Sequence, residues 1–282
     1  MYLGTTMYTS ASRGNYGGRL DRVVTWLTDH LDEALDLARL ADVACLSPYH
    51  FHRIYRAMQG ETVAATVRRL RLHRAAGELI DGALPVRRIA RRAGYRSQAA
   101  FTRAFRAAYD TPPARYRSSF VSSPATPTCQ VVIRETGALR LAALEHGGSY
   151  GTIGGTFGRL LTMAASQELL GPGTRYFGVY YADPVDTPKA LLRAHAGLTL
   201  PAGREPAGEL QPLELREGRY AVVLHIGPFA ELGRAYGWLY GEWLAGSGEE
   251  TADAPCLEEY LNDPRIVRPA DLRTEIWLPL RD

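Results

Sequence analysis

IARRAGYRSQAAFTRAFRAAYDTPPARYR, residues 89–117, sets apolar side chains at helical spacing on both sides of one glycine. Ile89 and Ala90 read as the buried end of a short helix. Gly94 supplies the permissive backbone of a tight turn, and Ser97 starts a second helix as its N-cap. That second helix buries Phe101, Ala104, Phe105 and Ala108, which leaves Gln98, Ala99, Thr102, Arg103 and Arg106 free. The same pattern stands 49 residues earlier, and 50 earlier once Arg96 is passed, in LADVACLSPYHFHRIY, residues 40–55. Leu40-Ala41 matches Ile89-Ala90, and Phe51-x-Arg53-x-Tyr55 matches Phe101-x-Arg103-x-Phe105. Ser47-Pro48 opens the earlier helix as N-cap and first-turn proline. Its buried face is Phe51, Ile54, Tyr55 and Met58, so Tyr49, His52, Arg53 and Arg56 face outward.

Working outward, Leu20, Val23, Val24, Leu27 and Leu31 form a helical stripe, and residues 19–118 are helical in pattern throughout. The segment SSFVSSPATPT, 118–128, breaks that pattern, and residues 119–127 read as a linker. Residues 1–18 lack a basic start followed by an apolar run and read as a disordered leader rather than a signal peptide. Charge divides at the same place. Residues 19–118 hold 18 Arg against 10 acids, a net of +8, and residues 119–282 hold 13 Arg and one Lys against 20 acids, a net of −6. A basic half joined to an acidic half implies two kinds of partner. Cys45, Cys129 and Cys256 are far apart and form no CxxC pair, so neither a zinc site nor a disulfide framework is expected, in keeping with a cytoplasmic protein. No apolar run approaches the ~18 residues of a membrane helix. No catalytic triad, metal cluster or cofactor motif is present.

The acidic half is also doubled. His146-x-Gly148-Ser-Tyr150-x-x-Ile153-Gly154-x-x-Phe157 matches His225-x-Gly227-Pro-Phe229-x-x-Leu232-Gly233-x-x-Tyr236 at an offset of 79. Tyr180-x-x-Asp183-Pro184 matches Tyr260-x-x-Asp263-Pro264 at 80. The unit reads as strand–helix–strand–strand, with first strands near 138–146 and 220–226. Gly154 and Gly233 are expected to let each helix approach its neighbour closely. Alternation along the third strand puts Glu258 and Tyr260 on one face and Leu257, Glu259 and Leu261 on the other.

Ile89-Ala90-x-x-x-Gly94-Tyr95-x-Ser97-x-x-x-Phe101-x-Arg103-x-Phe105-Arg106…Thr111-Pro112-Pro113-x-x-Tyr116-Arg117 resembles the signature of the AraC/XylS regulators. The resemblance covers about residues 19–118. It implies seven helices, two of them recognition helices held apart by a linker helix near 63–80 and set in successive major-groove segments of double-stranded promoter DNA. By position, the implied base-facing residues are Tyr49, His52 and Arg53, then Gln98, Ala99, Ala100 and Arg103. Arg suits guanine, Gln suits adenine, and Ala offers only apolar contact. Arg56, Thr102 and Arg106 complete the implied DNA face. Arg68, Arg69, Arg71 and Arg74 on the linker helix are expected to be solvated, as are Arg87, Arg88, Arg91 and Arg92 unless they touch phosphate. His50 and His73 are expected as surface or capping residues.

Residues 128–282 resemble the GyrI-like effector-binding domain through the two His-x-Gly-[Ser/Pro]-aromatic helix starts and through Glu258-x-Tyr260-Leu261-Asn262-Asp263-Pro264. The resemblance implies an α+β module of two strand-helix-strand-strand repeats behind the all-α double helix-turn-helix domain. It also implies a ligand-facing Glu at Glu258; the groove expected between the two repeats sets Tyr150, Tyr180, Trp238, Trp243 and Tyr260 around it. A carboxylate among aromatics suits a flat, hydrophobic or cationic organic molecule. Phe157, Tyr236 and Trp277 are expected in the core, Glu259 in solvent, Glu275 and Asp271 at turns or edges. The implied whole is a ligand-responsive transcription activator that meets RNA polymerase. Two alternatives stand beside it. One is a hydrolase of strained electrophiles with Glu258 as base. The other is a constitutive DNA-binding protein whose acidic half docks another protein.

Overall fold

A computed structural model describes residues 10–121 and 130–282. The first half is seven helices: α1 (Ser10–Asp29), α2 (Leu37–Val43), α3 (Pro48–Gln59), α4 (Val63–Asp81), α5 (Val86–Arg92), α6 (Gln98–Tyr109) and α7 (Pro113–Val121). Local chemistry fixes their ends. Asp36 accepts from the amides of Ala38 and Arg39, Thr62 from Ala65, and Ser97 from Ala100, each satisfying donors that a helix start leaves free. Ser47 stands at the N-cap of α3 without a side-chain bond, and Pro48 opens the first turn there.

Two cores flank one long helix. Leu20, Val23, Leu27, Leu40, Phe51 and Tyr55 pack with Val63 and Val67 from the first part of α4. Ile89, Phe101, Phe105, Tyr109 and Tyr116 pack with Leu72, Ala75, Ala76 and Leu79 from its second part. Its 19 residues span roughly 28 Å, so α4 serves as the spacer between two helix-turn-helix units. The turns of those units are built alike. Gly94 has φ +83° and Cys45, its counterpart, φ +51°, a left-handed backbone that costs about 1–2 kcal/mol for a residue with a side chain. A Cβ on Gly94 would also lie 2.3 Å from the Arg71 guanidinium, which is held by the carbonyls of Leu31 and Glu33. Gly94→Ala is therefore expected to lower stability by about 1–3 kcal/mol, read as an earlier denaturation midpoint at unchanged slope; an unmoved midpoint refutes the tight turn.

The leader expectation fails from Ser10 onward, because α1 already begins there; residues 1–9 lie outside the described residues. Tertiary packing overrides the weak helix propensity of Gly17 and Gly18. Gly17 is buried, a Cβ on it would meet Thr162 at 2.3 Å, and Val24 and Thr28 lie against Gly155 of the second half. The close approach at this contact thus falls on Gly17; Gly155 and Gly158 face α1 at ordinary contact distance, and nothing crowds Gly154 or Gly233. Helix α7 runs on to Val121, into the segment read as linker, whose remainder lies outside the described residues.

The second half is one eight-stranded antiparallel sheet: β1 (Val131–Thr136), β2 (Leu139–Gly147), β3 (Tyr176–Tyr180), β4 (Arg193–Thr199), β5 (Gln211–Leu215), β6 (Gly218–Ile226), β7 (Cys256–Tyr260) and β8 (Arg273–Pro279). Its order is β1-β6-β8-β7-β3-β4-β2-β5. The doubling is visible, with the pseudo-two-fold between β3 and β7. The sequence reading missed the outer strands. Strand β1, which precedes the first repeat, pairs with β6 of the second, and β5, which precedes the second, pairs with β2 of the first. Helices α8 (Ile153–Ser166) and α9 (Leu232–Trp238) cover one face. A π-helical turn, Leu239–Leu244, prolongs α9. On the other face Leu141, Phe177, Tyr220, Leu257 and Trp277 form their own core.

Candidate functional site

Helices α3 and α6 each bury one aromatic stripe, Phe51 with Tyr55 and Phe101 with Phe105. The opposite face is set by helical period. Tyr49, His52, Arg53 and Arg56 are exposed on α3; Gln98, Ala99, Arg103 and Arg106 are exposed on α6, with Ala100 and Thr102 half-buried beside them. Tyr49 is 72% exposed, and the Arg53 guanidinium lies 5.5 Å from its ring centroid, a contact that orients the cation without consuming its donors. Between α5 and α6 a cleft of about 340 Å³ is lined by Arg87, Arg91, Arg96 and Gln98.

Several arginines expected in solvent are engaged instead. Arg69 binds Glu61; Arg74 binds Asp32 and the Arg92 carbonyl, and Arg92 binds Glu78. A burst of positive charge in the sequence hides two populations. One set welds α4 to α5 and to the chain after α1. The other, Arg53, Arg56, Arg103 and Arg106, has no carboxylate partner among the described residues.

The second site lies where β7 meets β3 beneath α8 and α9. Glu258 is 6% exposed. Tyr260 donates to its Oε2 at 2.8 Å and Tyr236 to its Oε1 at 3.1 Å. Tyr180 and Tyr260 share a hydroxyl contact of 2.6 Å. Since the Tyr260 proton goes to Glu258, Tyr180 is the donor of that pair, and the chain of hydroxyls ends on the carboxylate. Burial pushes the Glu258 carboxyl up to about 7, against the lowering effect of the three tyrosine hydroxyls, so charged and neutral forms both exist near neutrality. Around it, the Phe157 and Phe229 rings stand edge-on to Tyr260 at 5.2 and 5.4 Å. Tyr150 stands edge-on to Tyr180 at 4.8 Å and spends its hydroxyl on the carbonyls of Ala182 and Arg193.

Gly178 is the direct cross-strand partner of Glu258. A Cβ there would lie 2.6 Å from the Tyr180 ring, so the missing side chain is what lets Tyr180 fold over the strand. Gly178→Ala is expected to cost about 1–3 kcal/mol through overpacking and to detach Tyr180 from Tyr260. Unchanged stability, together with an unchanged pH dependence of unfolding, counts against this placement.

Of the proposed lining residues, the structure gathers Tyr150, Tyr180, Tyr260 and Glu258. It places Trp238 and Trp243 on the core of the second repeat with Ala221, Val223, Leu239 and Leu278; no hydrogen bond or ring contact joins them to Glu258 among the described residues. Trp238 ends α9, and Trp243 lies in the π-helical turn that follows it. Tyr236, expected as core alone, turns its hydroxyl to the carboxylate. Thr274 is fully buried with its hydroxyl unpartnered and is the cross-strand partner of Tyr260. His73 is also reassigned: it packs edge-on against Phe229 of the second half at 6.4 Å.

Opposite this site, two expectations are corrected. Glu259 is 6% exposed and bound by Arg175 at 2.7 and 2.8 Å. Glu275 is a buried residue of β8, bound by Arg134 at 2.6 and 2.7 Å. The Arg134 and Arg175 guanidiniums lie over Trp277, at 5.3 and 5.5 Å respectively. Bidentate pairing satisfies both carboxylates, which a lone buried acid could not achieve.

Among the described residues no helix is long and apolar enough to cross a membrane. Residues 130–281 match the model of the GyrI-like small molecule binding domain, and residues 40–119 that of a helix-turn-helix domain. Over 103 residues the chain is 34% identical to an uncharacterized HTH-type transcriptional regulator, YbfP, of Bacillus subtilis strain 168, covering 36% of this chain and 35% of that protein. It is 32% identical over 98 residues to the regulatory protein SoxS of Salmonella typhimurium strain LT2, covering 35% of this chain and 92% of SoxS. The chain thus spans about a third of the length of the first curated relatives it matches. A cryo-EM structure of an EcmrR-DNA complex superposes with a TM-score of 0.46 at 14% identity, over 86% of this chain and 84% of that one.

Proposed function

Because the chain belongs to the GyrI-like small molecule binding family and carries an AraC-type helix-turn-helix domain ahead of it, we propose that it is a transcription regulator that reads two adjacent major-groove segments and responds to an organic ligand at Glu258. The observation that carries the DNA reading is the pair of exposed faces, Tyr49–Arg56 and Gln98–Arg106, held at the two ends of α4. Recognition helices so held address sites about one helical turn apart. The ligand is hydrophobic or cationic, because a buried carboxylate that ionises near neutrality sits among aromatic rings and aliphatic walls. Activation through RNA polymerase belongs to the same proposal.

The test is selection of duplexes from a random pool by the full chain, with and without tetraphenylphosphonium as a lipophilic cation. Enrichment of a two-part motif spaced by about one turn, with affinity falling as salt rises, is expected. A pool that gains no motif sinks the DNA reading, and a cation that gives no heat of binding in calorimetry sinks the ligand class. One observation favours a second reading: a carboxyl poised near pH 7 beside tyrosine hydroxyls also suits a general base. Glu258-dependent turnover of epoxide or cyclopropane compounds would establish that hydrolase activity, and its absence would leave sensing alone.

A further inference from the structure

The loop between β7 and β8 reaches the first half of the molecule at two separate points. Arg265 donates from Nη1 to the carbonyl of Gln59, the last residue of α3, at 3.2 Å. Arg268 donates from Nη1 to Oδ1 of Asp110, the C-cap of α6, at 2.7 Å. Both cations therefore sit at the C-terminal ends of the two helices that carry the DNA faces, where free carbonyls leave partial negative charge. Each is held from behind by an acid of its own loop. Asp263 takes the Nε and Nη2 of Arg265, and Asp271 takes those of Arg268. Asp110 holds a left-handed backbone, φ +56°, at a position where a side chain is costly, and that side chain is what Arg268 grips.

The loop is tied within itself. Asn262 ties its neck, donating to the Asp271 carbonyl at 2.9 Å and accepting from the Arg273 amide at 3.0 Å. The amides of Ile266 and Val267 close back on the Asp263 carbonyl. Its root is β7: only Leu261 and Asn262 separate Tyr260 from Asp263. The spacer helix is touched as well, since His73 of α4 meets Phe229, and Phe229 meets Tyr260. Exposed ion pairs add little to stability. What the arrangement supplies is position: one internally bonded loop rooted beside Glu258 touches both recognition helices.

We propose that the Asp263–Arg273 loop is an intramolecular docking surface for the C-terminal ends of α3 and α6, through which the state of the Glu258 group sets both recognition helices together. This rests on the DNA and effector assignments of the preceding subsection. A ligand that displaces Tyr260 would shift the root of the loop and thereby change the relative setting of the two DNA faces, the differential contact that coupling between two sites requires.

Amide hydrogen exchange on the full chain tests this without any ligand. Tyr260→Phe removes the donor to Glu258 and the acceptor for Tyr180, so β7 must readjust. In the otherwise intact chain this is expected to change exchange by about threefold or more at the ends of α3 and α6. With Arg265→Ala and Arg268→Ala also in place, the same substitution should leave those ends unaltered. Asp110→Gly, which keeps the left-handed turn, should abolish the response at α6 alone. Equal responses with and without the two arginines overturn the proposal, as does no response in the intact chain. A full chain with no salt-sensitive affinity for any duplex would instead sink the DNA assignment, a separate result that leaves the exchange outcome to be read by itself.

Discussion

Arg53→Ala combined with Arg103→Ala is expected to weaken binding to the selected duplex by about 2–6 kcal/mol, roughly 30-fold to 10⁴-fold, as the sum of two base or phosphate contacts in separate helices. The two residues occupy one motif position in the two repeats, both are exposed, and neither meets a carboxylate among the described residues. Arg53 is further held over Tyr49. The slope of log affinity against log salt separates the contact types. Loss of a phosphate contact lowers the slope by about 1 for each residue, and loss of a base contact leaves it nearly unchanged. Arg74→Ala is the contrasting variant: it breaks the network with Asp32 and the Arg92 carbonyl, and its effect should fall on stability. Unchanged duplex affinity of the double variant at physiological salt removes Arg53 and Arg103 from the DNA face.

Glu258→Gln is expected to weaken a lipophilic cation by tenfold or more while changing a neutral analogue little, because only the charged form of the carboxylate attracts the cation. The pH dependence carries a definite sign. The folded carboxyl titrates near 7, above its ordinary 4.5, so the folded chain keeps a proton that the unfolded chain has lost between those values. Stability therefore falls as pH rises from about 4.5 to about 7, by roughly 3 kcal/mol from this group. Cation affinity moves the other way, rising through pH 7 as the proton leaves. Glu258→Gln should flatten both curves. A cation affinity equally steep in the variant assigns the proton elsewhere.

The helical half was legible almost throughout, because a 3.6-residue period and paired N-caps state the fold locally. The arginines of α4 were not, since ion pairs such as Arg74–Asp32 join residues 42 apart and leave no periodic trace. In the sheet half, strand alternation placed Glu258 and Tyr260 together, yet it was silent on what lies across from them. Glu259 and Glu275 look like surface acids until Arg175 and Arg134, 84 and 141 residues away in sequence, are brought over them. Tyr236 did carry a signal. Its repeat partner is Phe157, and the partner of Glu258 is Gly178; where two otherwise matched copies differ in polarity, the site has taken its chemistry from one copy. For Trp238 and Trp243, aromatic content says nothing about which side of a helix meets a neighbour.

The exchange of β1 and β5 between the two repeats means that neither copy completes its own sheet edge, so the pair is a single unit of folding that a cut in the 201–208 connection would leave as two mutually dependent pieces. The two copies also differ where they meet. Two identical chains assembled the same way would set a glutamate against a glutamate across the symmetry axis, where Glu258 now faces Gly178, and their repulsion would hold at least one of them protonated. Joining the copies in one polypeptide frees each position to differ, so the carboxylate at the centre of this near-symmetric cradle meets no second acid across the axis.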